Sequence, residues 1–295
     1  MSVVVIGDVV TDILTVHEGP LAIGSDTIAS VRIGGGGSAA NTAAWLAAAG
    51  CPVVFAGVAG DDEPGDARVA EMRAAGVTTS VRRVAGAATG TVVVLTSDAE
   101  RTMFTDRGAN RLLDRSDVER ALGLPGVGHL HLSAYVLFDA DCAPAGRYAL
   151  AEARRRGLTT SLDAASAAPL ERIGASAFLA SVPRPGILFA NLDEARVIAG
   201  PGGGADTAAL ARALLAHADA VVVKSGPGGA TWAAPGEVEH APGVAVAGVV
   251  DPTGAGDAFA AGFLAAWLGG AGPEAALRHG NELGARAVSR LGGRP

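Results

Sequence analysis

The stretch DPTGAGDAFAAGFLAAW, residues 251–267, sets a carboxylate, a run of small residues and a second carboxylate directly ahead of an apolar segment. Glycine costs about 1 kcal/mol relative to alanine inside a helix, so Gly254 and Gly256 need a local reason. Either the backbone takes dihedrals closed to other residues, or something approaches it closely. The apolar pattern predicts a helix over 257–267. Its start would turn free amides and the positive end of a dipole toward Gly254, Ala255 and Gly256, a ready site for an anion. Asp257 is then either an ordinary helix cap or a base held beside that anion.

The rest of the chain narrows the choice. At 295 residues and 49% hydrophobic it can bury a large core, enough for one sizeable α/β domain with a small appendage. A net charge of −7 argues against a nucleic-acid partner, so any phosphate must be held locally. Lys224 is the only lysine and follows Val223, which rules out the Gly-Lys-Ser/Thr of a Walker-type loop. Cys51 and Cys142 show neither metal-site nor disulfide spacing. MSVVVIGDVV lacks a charged signal-peptide start, and the longest apolar run, 258–268, is too short to span a bilayer. The expectation is a soluble cytoplasmic protein with no membrane partner.

Short β-branched runs at 3–6, 53–58, 129–132, 159–162, 187–190 and 220–223 predict strands. They alternate with predicted helices over 39–49, 64–75, 143–156, 193–199, 207–216, 257–267 and 273–289. Such alternation predicts a largely parallel sheet covered on both faces, with ligands beyond the carboxyl ends of its strands. Residues 13–16, 27–33, 91–96 and 101–105 are strand-like without intervening helices, the last two joined as a hairpin by SDAE (97–100). They predict a small separate sheet acting as a lid or a dimer surface.

DPTGAGDAF closely resembles the C-terminal signature of the ribokinase-like (PfkB) carbohydrate kinase family, with Pro252 in place of a common Thr or Ser. GGGGSAANTAAWLAAAG (34–50) resembles the family's N-terminal signature, a Gly-Gly pair followed four residues later by Asn, here Gly36, Gly37 and Asn41. Bare backbone lets a sugar lie close, and an Asn amide both donates to and accepts from hydroxyls. The resemblance implies a three-layer α/β/α sandwich with a mostly parallel central sheet and a small β-sheet lid. It places the main domain at 1–10, 36–88 and 107–295 and the lid at 11–35 and 89–106. It makes Asp257 the catalytic base and the Gly254, Ala255 and Gly256 amides an anion hole. Asp12, in VVVIGDVVTDIL, matches the sugar-binding carboxylate, while Asp8 is read as a turn residue and Asp61 and Asp62 as turn and cap residues.

On the nucleotide side, Asn191 and Glu194 match the family's Asn-x-x-Glu element, Glu194 organising Mg²⁺ through water. VVVKSGPGGATW resembles the strand and turn lining ATP, with Gly226 and Gly229 near the nucleotide and Lys224 either on phosphate or solvated. Asn281 falls on the adenine side, and Asp251, near Gly292, is matched to a monovalent-cation site for K⁺. Phe104 is expected over a sugar face; Arg107 either binds an anionic substrate group or pairs with Asp106. His129 and His131 share a strand face without a third ligand, which favours packing over a metal.

The expected function is an ATP- and Mg²⁺-dependent kinase of a monosaccharide hydroxyl, a primary one, working as a homodimer joined through the lid. A nucleoside kinase shares every motif, and a 2-keto-3-deoxy sugar acid kinase is a further alternative resting only on Arg107. A non-catalytic sugar sensor on the same scaffold is the alternative of another class. A Rossmann dehydrogenase is disfavoured, because GDVVTD stands where Gly-x-Gly-x-x-Gly should be.

Overall fold

A computed structural model describes residues 1–97 and 100–295. Its strands, in chain order, are β1 (Ser2–Ile6), β2 (Val10–His17), β3 (Ala29–Gly36), β4 (Val53–Gly60), β5 (Thr78–Val84), β6 (Gly90–Ser97) and β7 (Glu100–Asp106). They continue with β8 (Val127–Ser133), β9 (Thr159–Asp163), β10 (Ile187–Asn191), β11 (Ala220–Lys224), β12 (Ala230–Ala234) and β13 (Glu237–Ala241). The helices are α1 (Ser38–Ala48), α2 (Glu63–Ala74), α3 (Arg115–Leu122), α4 (Ala143–Arg155) and α5 (Ala167–Ile173). After them come α6 (Ala175–Ser181), α7 (Leu192–Ala199), α8 (Thr207–Leu214), α9 (Ala255–Leu268) and α10 (Pro273–Val288).

Nine strands form one sheet in the order β13-β12-β11-β10-β9-β8-β1-β4-β5. All neighbours from β5 to β11 are parallel, and β12 and β13 add an antiparallel edge. The Val- and Leu-rich central strands are buried on both faces, as a sheet covered on each side requires. One core packs Val4, Leu130, Leu188 and Val221 against Val118, Leu150, Ile198 and Leu210 from α3, α4, α7 and α8. The other packs Val5, Phe189 and Val222 against Trp45, Phe263 and Leu277 from α1, α9 and α10. The fold is therefore the expected three-layer sandwich.

A second sheet has the order β3-β2-β6-β7. Its hairpin register pairs Val93 with Phe104 and Thr96 with Arg101; within the predicted SDAE turn, residues 98–99 lie outside the described residues. Asp12 and Leu14 alternate with Ile13 on β2, so the two sets face opposite ways. Leu14 is buried, while the opposite face carries the row Ile33–Ile13–Val93–Phe104 with Ile33 and Phe104 exposed.

Several boundaries differ from the sequence reading. β3 extends through Gly36, because Gly34, Gly35 and Gly36 pair with Asp12, Thr11 and Val10. α9 begins at Ala255, with Gly254 at its N-cap in the left-handed region (φ 76°), so Asp257 is not the cap. β5 was not anticipated: its Arg82 and Arg83 break the apolar pattern, yet both are held by ion pairs, to Asp117 at 2.9 Å and Asp66 at 2.7 Å. The β12–β13 hairpin, α3, α5 and α6 were missed as well. Asp62 does cap α2, accepting from the Gly65 amide at 2.9 Å. Asp61 is exposed, 4.0 Å from Arg83.

Candidate active site

Asp163, Asn191 and Lys224 end the adjacent parallel strands β9, β10 and β11, the crevice where an open α/β sheet presents its ligands. Lys224 is neither solvated nor free: its amine donates to Asp163 at 2.7 Å. Burial works against its charge, but Asp163 and Glu194 outweigh that and hold its pKa above the usual lysine value. Asn191 caps α7 and Glu194 returns the capping box, its carboxylate accepting from the Asn191 amide at 2.8 Å and from Nδ2 at 2.7 Å. Burial lifts Glu194 to about 7, with Lys224 pulling the other way.

α9 faces this cluster. A Cβ on Gly256 would lie 3.2 Å from the Lys224 amine, and one on Gly254 would strike the backbone of Gly293. Glycine is thus required at 254 by both dihedral and contact, and at 256 it leaves bare backbone beside a cation. The Ala255 amide turns back to the Pro252 carbonyl at 3.3 Å. Asp257, two positions further, accepts from Ser38 Oγ at 2.9 Å and Asn41 Nδ2 at 3.0 Å, both on α1. Burial pushes its carboxyl up to about 7; the Asn41 hydrogen bond pulls down and Asp163 adds to the rise. A carboxyl so poised is suited to taking a proton near neutral pH.

The other wall is built at the base of the small sheet. A Cβ on Gly36 would collide with the Asp12 carboxylate, and one on Gly37 (φ 98°) with the Asp8 carbonyl. Burial lifts Asp12 to about 6, against the pull of Arg294. Asp8 is more than a turn residue: its carboxylate accepts from the Ser38 amide at 3.2 Å and the Ala39 amide at 3.4 Å, anchoring the start of α1. Asn41 joins the walls, because its Oδ1 accepts from Arg294 Nε at 3.4 Å. Asp12, Gly36, Gly37, Asn41 and Asp257 are therefore brought together.

The remaining candidates are placed differently. Asn281 donates to the Ala241 and Pro242 carbonyls at 3.1 and 3.0 Å, and Gly229 packs tightly on the same segment. Gly226 has open space where a side chain would be. Both Asp251 oxygens accept amides, from Thr253 at 2.8 Å and Gly292 at 2.9 Å. Arg107 does not pair with Asp106, which accepts from the Gly108 amide instead; Arg107 donates to the Tyr135 carbonyl at 2.7 Å and lies 4.0 Å from Asp139. Phe104 is 59% exposed on the sheet face opposite Asp12. His129 and His131 share Ser161 Oγ at 2.8 Å inside the core, where burial holds them neutral at about 3 and 4.

Sequence reasoning missed Ser38, Asp163, Arg68, Glu71 and Arg294. Ser38 stood inside a quoted motif and Asp163 directly after a predicted strand, so position alone marked them. Nothing local marked the other three.

The chain is similar to known kinases in sequence and in fold. The chain is 32% identical over 291 residues to the ATP-dependent ribose-1-phosphate kinase of Halopiger xanaduensis, covering 95% of this chain and 89% of that one. Its fold matches adenosine kinase from Sinorhizobium meliloti with a TM-score of 0.87 at 25% identity, over 100% and 95% of the two chains. It also matches a ribokinase-II-type protein from E. coli, solved with ATP and Mg²⁺, with a TM-score of 0.86 at 24% identity over 99% and 94%. The model of the pfkB family carbohydrate kinases matches residues 1–295, and the chain belongs to that family.

Proposed function

We propose that the chain is an ATP-dependent sugar kinase that transfers the γ-phosphoryl group of ATP to a hydroxyl, a primary one, with Asp257 as general base. The observation that carries this reading is the placement of one half-buried carboxyl, fixed by Ser38 and Asn41, between the sugar-side residues and the glycine cradle beside Lys224. As the acceptor oxygen bonds to phosphorus, its O–H bond breaks and the proton passes to the Asp257 carboxylate. The bridging oxygen leaves with ADP. Lys224 and the amides around Gly254, Ala255 and Gly256 oppose the charge developing on the phosphoryl oxygens. Asp12, Gly36, Gly37 and Asn41 orient the acceptor, which is where positional selectivity arises.

Gly226 and the bare surface at Gly256 leave room for the nucleotide, and Asn191, Gly229 and Asn281 are its further proposed contacts. Mg²⁺, when bound, would neutralise phosphate charge, and the buried Glu194 suits holding it through water. Asp251 with the neighbouring Gly292 backbone is the candidate seat for K⁺. The small sheet, assigned to 11–35 and 89–106, would exclude water as a lid. Its Ile33–Ile13–Val93–Phe104 row, exposed at Ile33 and Phe104, supports a homodimer contact there.

The test is acceptor-dependent ADP release with Mg·ATP against ribose, fructose, 2-keto-3-deoxygluconate and adenosine. Turnover with a sugar is expected, and the adenosine arm decides the nucleoside alternative. Asp257→Asn should lower kcat by about 10²–10⁴-fold while acceptor binding persists. Undiminished turnover by that variant would remove the general base, and silence of both proteins would favour a sensor.

A further inference from the structure

An asparagine carboxamide has donors at one end and an acceptor at the other, and its shape alone does not decide which way it points. Asn41 is 3% exposed and stands between two groups that do decide. Its Nδ2 lies 3.0 Å from the Asp257 carboxyl, and its Oδ1 lies 3.4 Å from Arg294 Nε. A guanidinium donates and cannot accept, so it tolerates only the oxygen of the amide. Asp257 is less strict. As a carboxylate it only accepts, but once protonated its O–H could equally be donated to an amide oxygen. When Asp257 is protonated, it is therefore Arg294 that decides which end of Asn41 it meets.

Arg294 is itself held on several sides. Its Nη2 donates to the Gly36 carbonyl at 3.0 Å, and its Nη1 pairs with Glu71 at 3.2 Å. Glu71 is fixed in turn by Arg68 at 2.5 Å, and Arg68 Nη1 donates to the Gly34 carbonyl at 2.7 Å. The backbone beside Arg294 is tied down as well, because Trp45 Nε1 donates to the Gly293 carbonyl at 2.9 Å. A side chain on Gly35 would run into the guanidinium, so the glycine run makes room for it. Burial lowers Arg294 to about 10, against the pull of Glu71, Asp12 and Asp8, which leaves it charged and donor-only at neutral pH. Among the described residues it is the sole donor to Asn41 Oδ1.

We propose that Arg294 is a positioning residue that fixes the polarity of the Asn41 carboxamide, keeping Nδ2 rather than Oδ1 on Asp257. Its catalytic meaning rests on the reading of Asp257 as general base. The carboxylate keeps its donor while the protonated acid is denied an acceptor, and both effects favour the form that can take a proton. A side chain without donors at 294 would let the amide turn whenever Asp257 is protonated. The protonated form would then gain a bond, and the carboxyl would release its proton at higher pH. The other groups facing Asp257 are Asp163 from β9 and Lys224 from β11, which act in opposite directions, and Ser38 from α1. Tyr135 lies nearby as a neutral phenol lifted by burial to about 12, and Asp8 holds the Ser38 amide from behind. Arg294 makes no hydrogen bond or ion pair with any of them.

The test is a double-mutant cycle read on the Asp257 proton. Carbon-detected NMR of the ligand-free protein follows the carboxyl titration, the Asp257 signal being the one lost in Asp257→Asn. Wild type, Arg294→Met, Asn41→Ala and the double variant are compared, and the rising limb of kcat/KM reports the same free-enzyme group. Arg294→Met should move the midpoint up by about 0.5–1 pH unit, lowering kcat/KM below it by about 3–10-fold and little above it. In the Asn41→Ala background the same substitution should add nothing. Arg294→Lys, also donor-only, should hold the midpoint near that of wild type. Arg294→Gln can accept as well as donate, so it should shift the midpoint as Met does and carries the cycle if the Met variant does not fold. An unmoved midpoint overturns the inference, and so does an equal shift with and without Asn41, which would mean that Arg294 acts on Asp257 through its charge. A shift that requires Asn41, in a protein whose Asp257→Asn variant turns over undiminished, would uphold the positioning and overturn the general base.

Discussion

Asn41 serves two partners with one amide, donating to Asp257 through Nδ2 and accepting from Arg294 through Oδ1. The first bond favours the carboxylate, so it lowers a pKa that burial has raised to about 7. A base works only when deprotonated, so acceptor kcat/KM should rise with pH through about 7 in the wild type. Asn41→Ala removes the lowering bond, and the rising limb should move up by about one pH unit, which a pH–rate profile would record. A limb that stays in place or moves down would show that Asp257 does not govern it. Ser38→Ala acts in the same direction, since its hydroxyl also donates to that carboxylate.

At the scale of elements, the N-terminus of α9 depends on Gly254. Its left-handed φ of 76° costs other residues about 1–2 kcal/mol, and a Cβ would also strike Gly293. Gly254→Ala should therefore destabilise the chain by at least that amount in urea titration and lower turnover by about tenfold or more. Loss of stability with full activity would free the cradle from any catalytic part. This glycine was legible because its cause is local: a dihedral and a helix start. The parallel strands were legible too, since burial on both faces writes an unbroken β-branched run. β5 was not, because its arginines are accommodated by Asp66 and Asp117, partners a local pattern does not reveal. Glu71 and Arg294 escaped for the same reason, being 223 residues apart in the chain. α3 escaped because its amphipathic stripe is short and its capping box, Asp114 with Asp117, uses Asp where Glu or Gln is the familiar signal.

Across the whole molecule, burial of ionisable groups leaves a signature in stability. Asp12 sits at about 6 and Asp257 and Glu194 at about 7, all above their unfolded values. Groups raised in this way contribute stability that is fully present below the unfolded carboxyl range and is lost as pH rises through 6 to 7. The ligand-free melting temperature should consequently fall between pH 5 and pH 8. Asp257→Asn should flatten the decline, gaining a few degrees at pH 8 and less at pH 5; a gain independent of pH would mean that Asp257 ionises freely in the fold. Lys224 stays paired with Asp163 throughout this range. It is also the sole lysine, every other Lys/Arg position being arginine. The chain thus carries a single side-chain amine, and that amine stands at the floor of the crevice. To amine-directed chemistry the protein has one internal address. A reagent that adds mass at Lys224 would report the accessibility of this crevice, molecule by molecule, without a label on any other side chain.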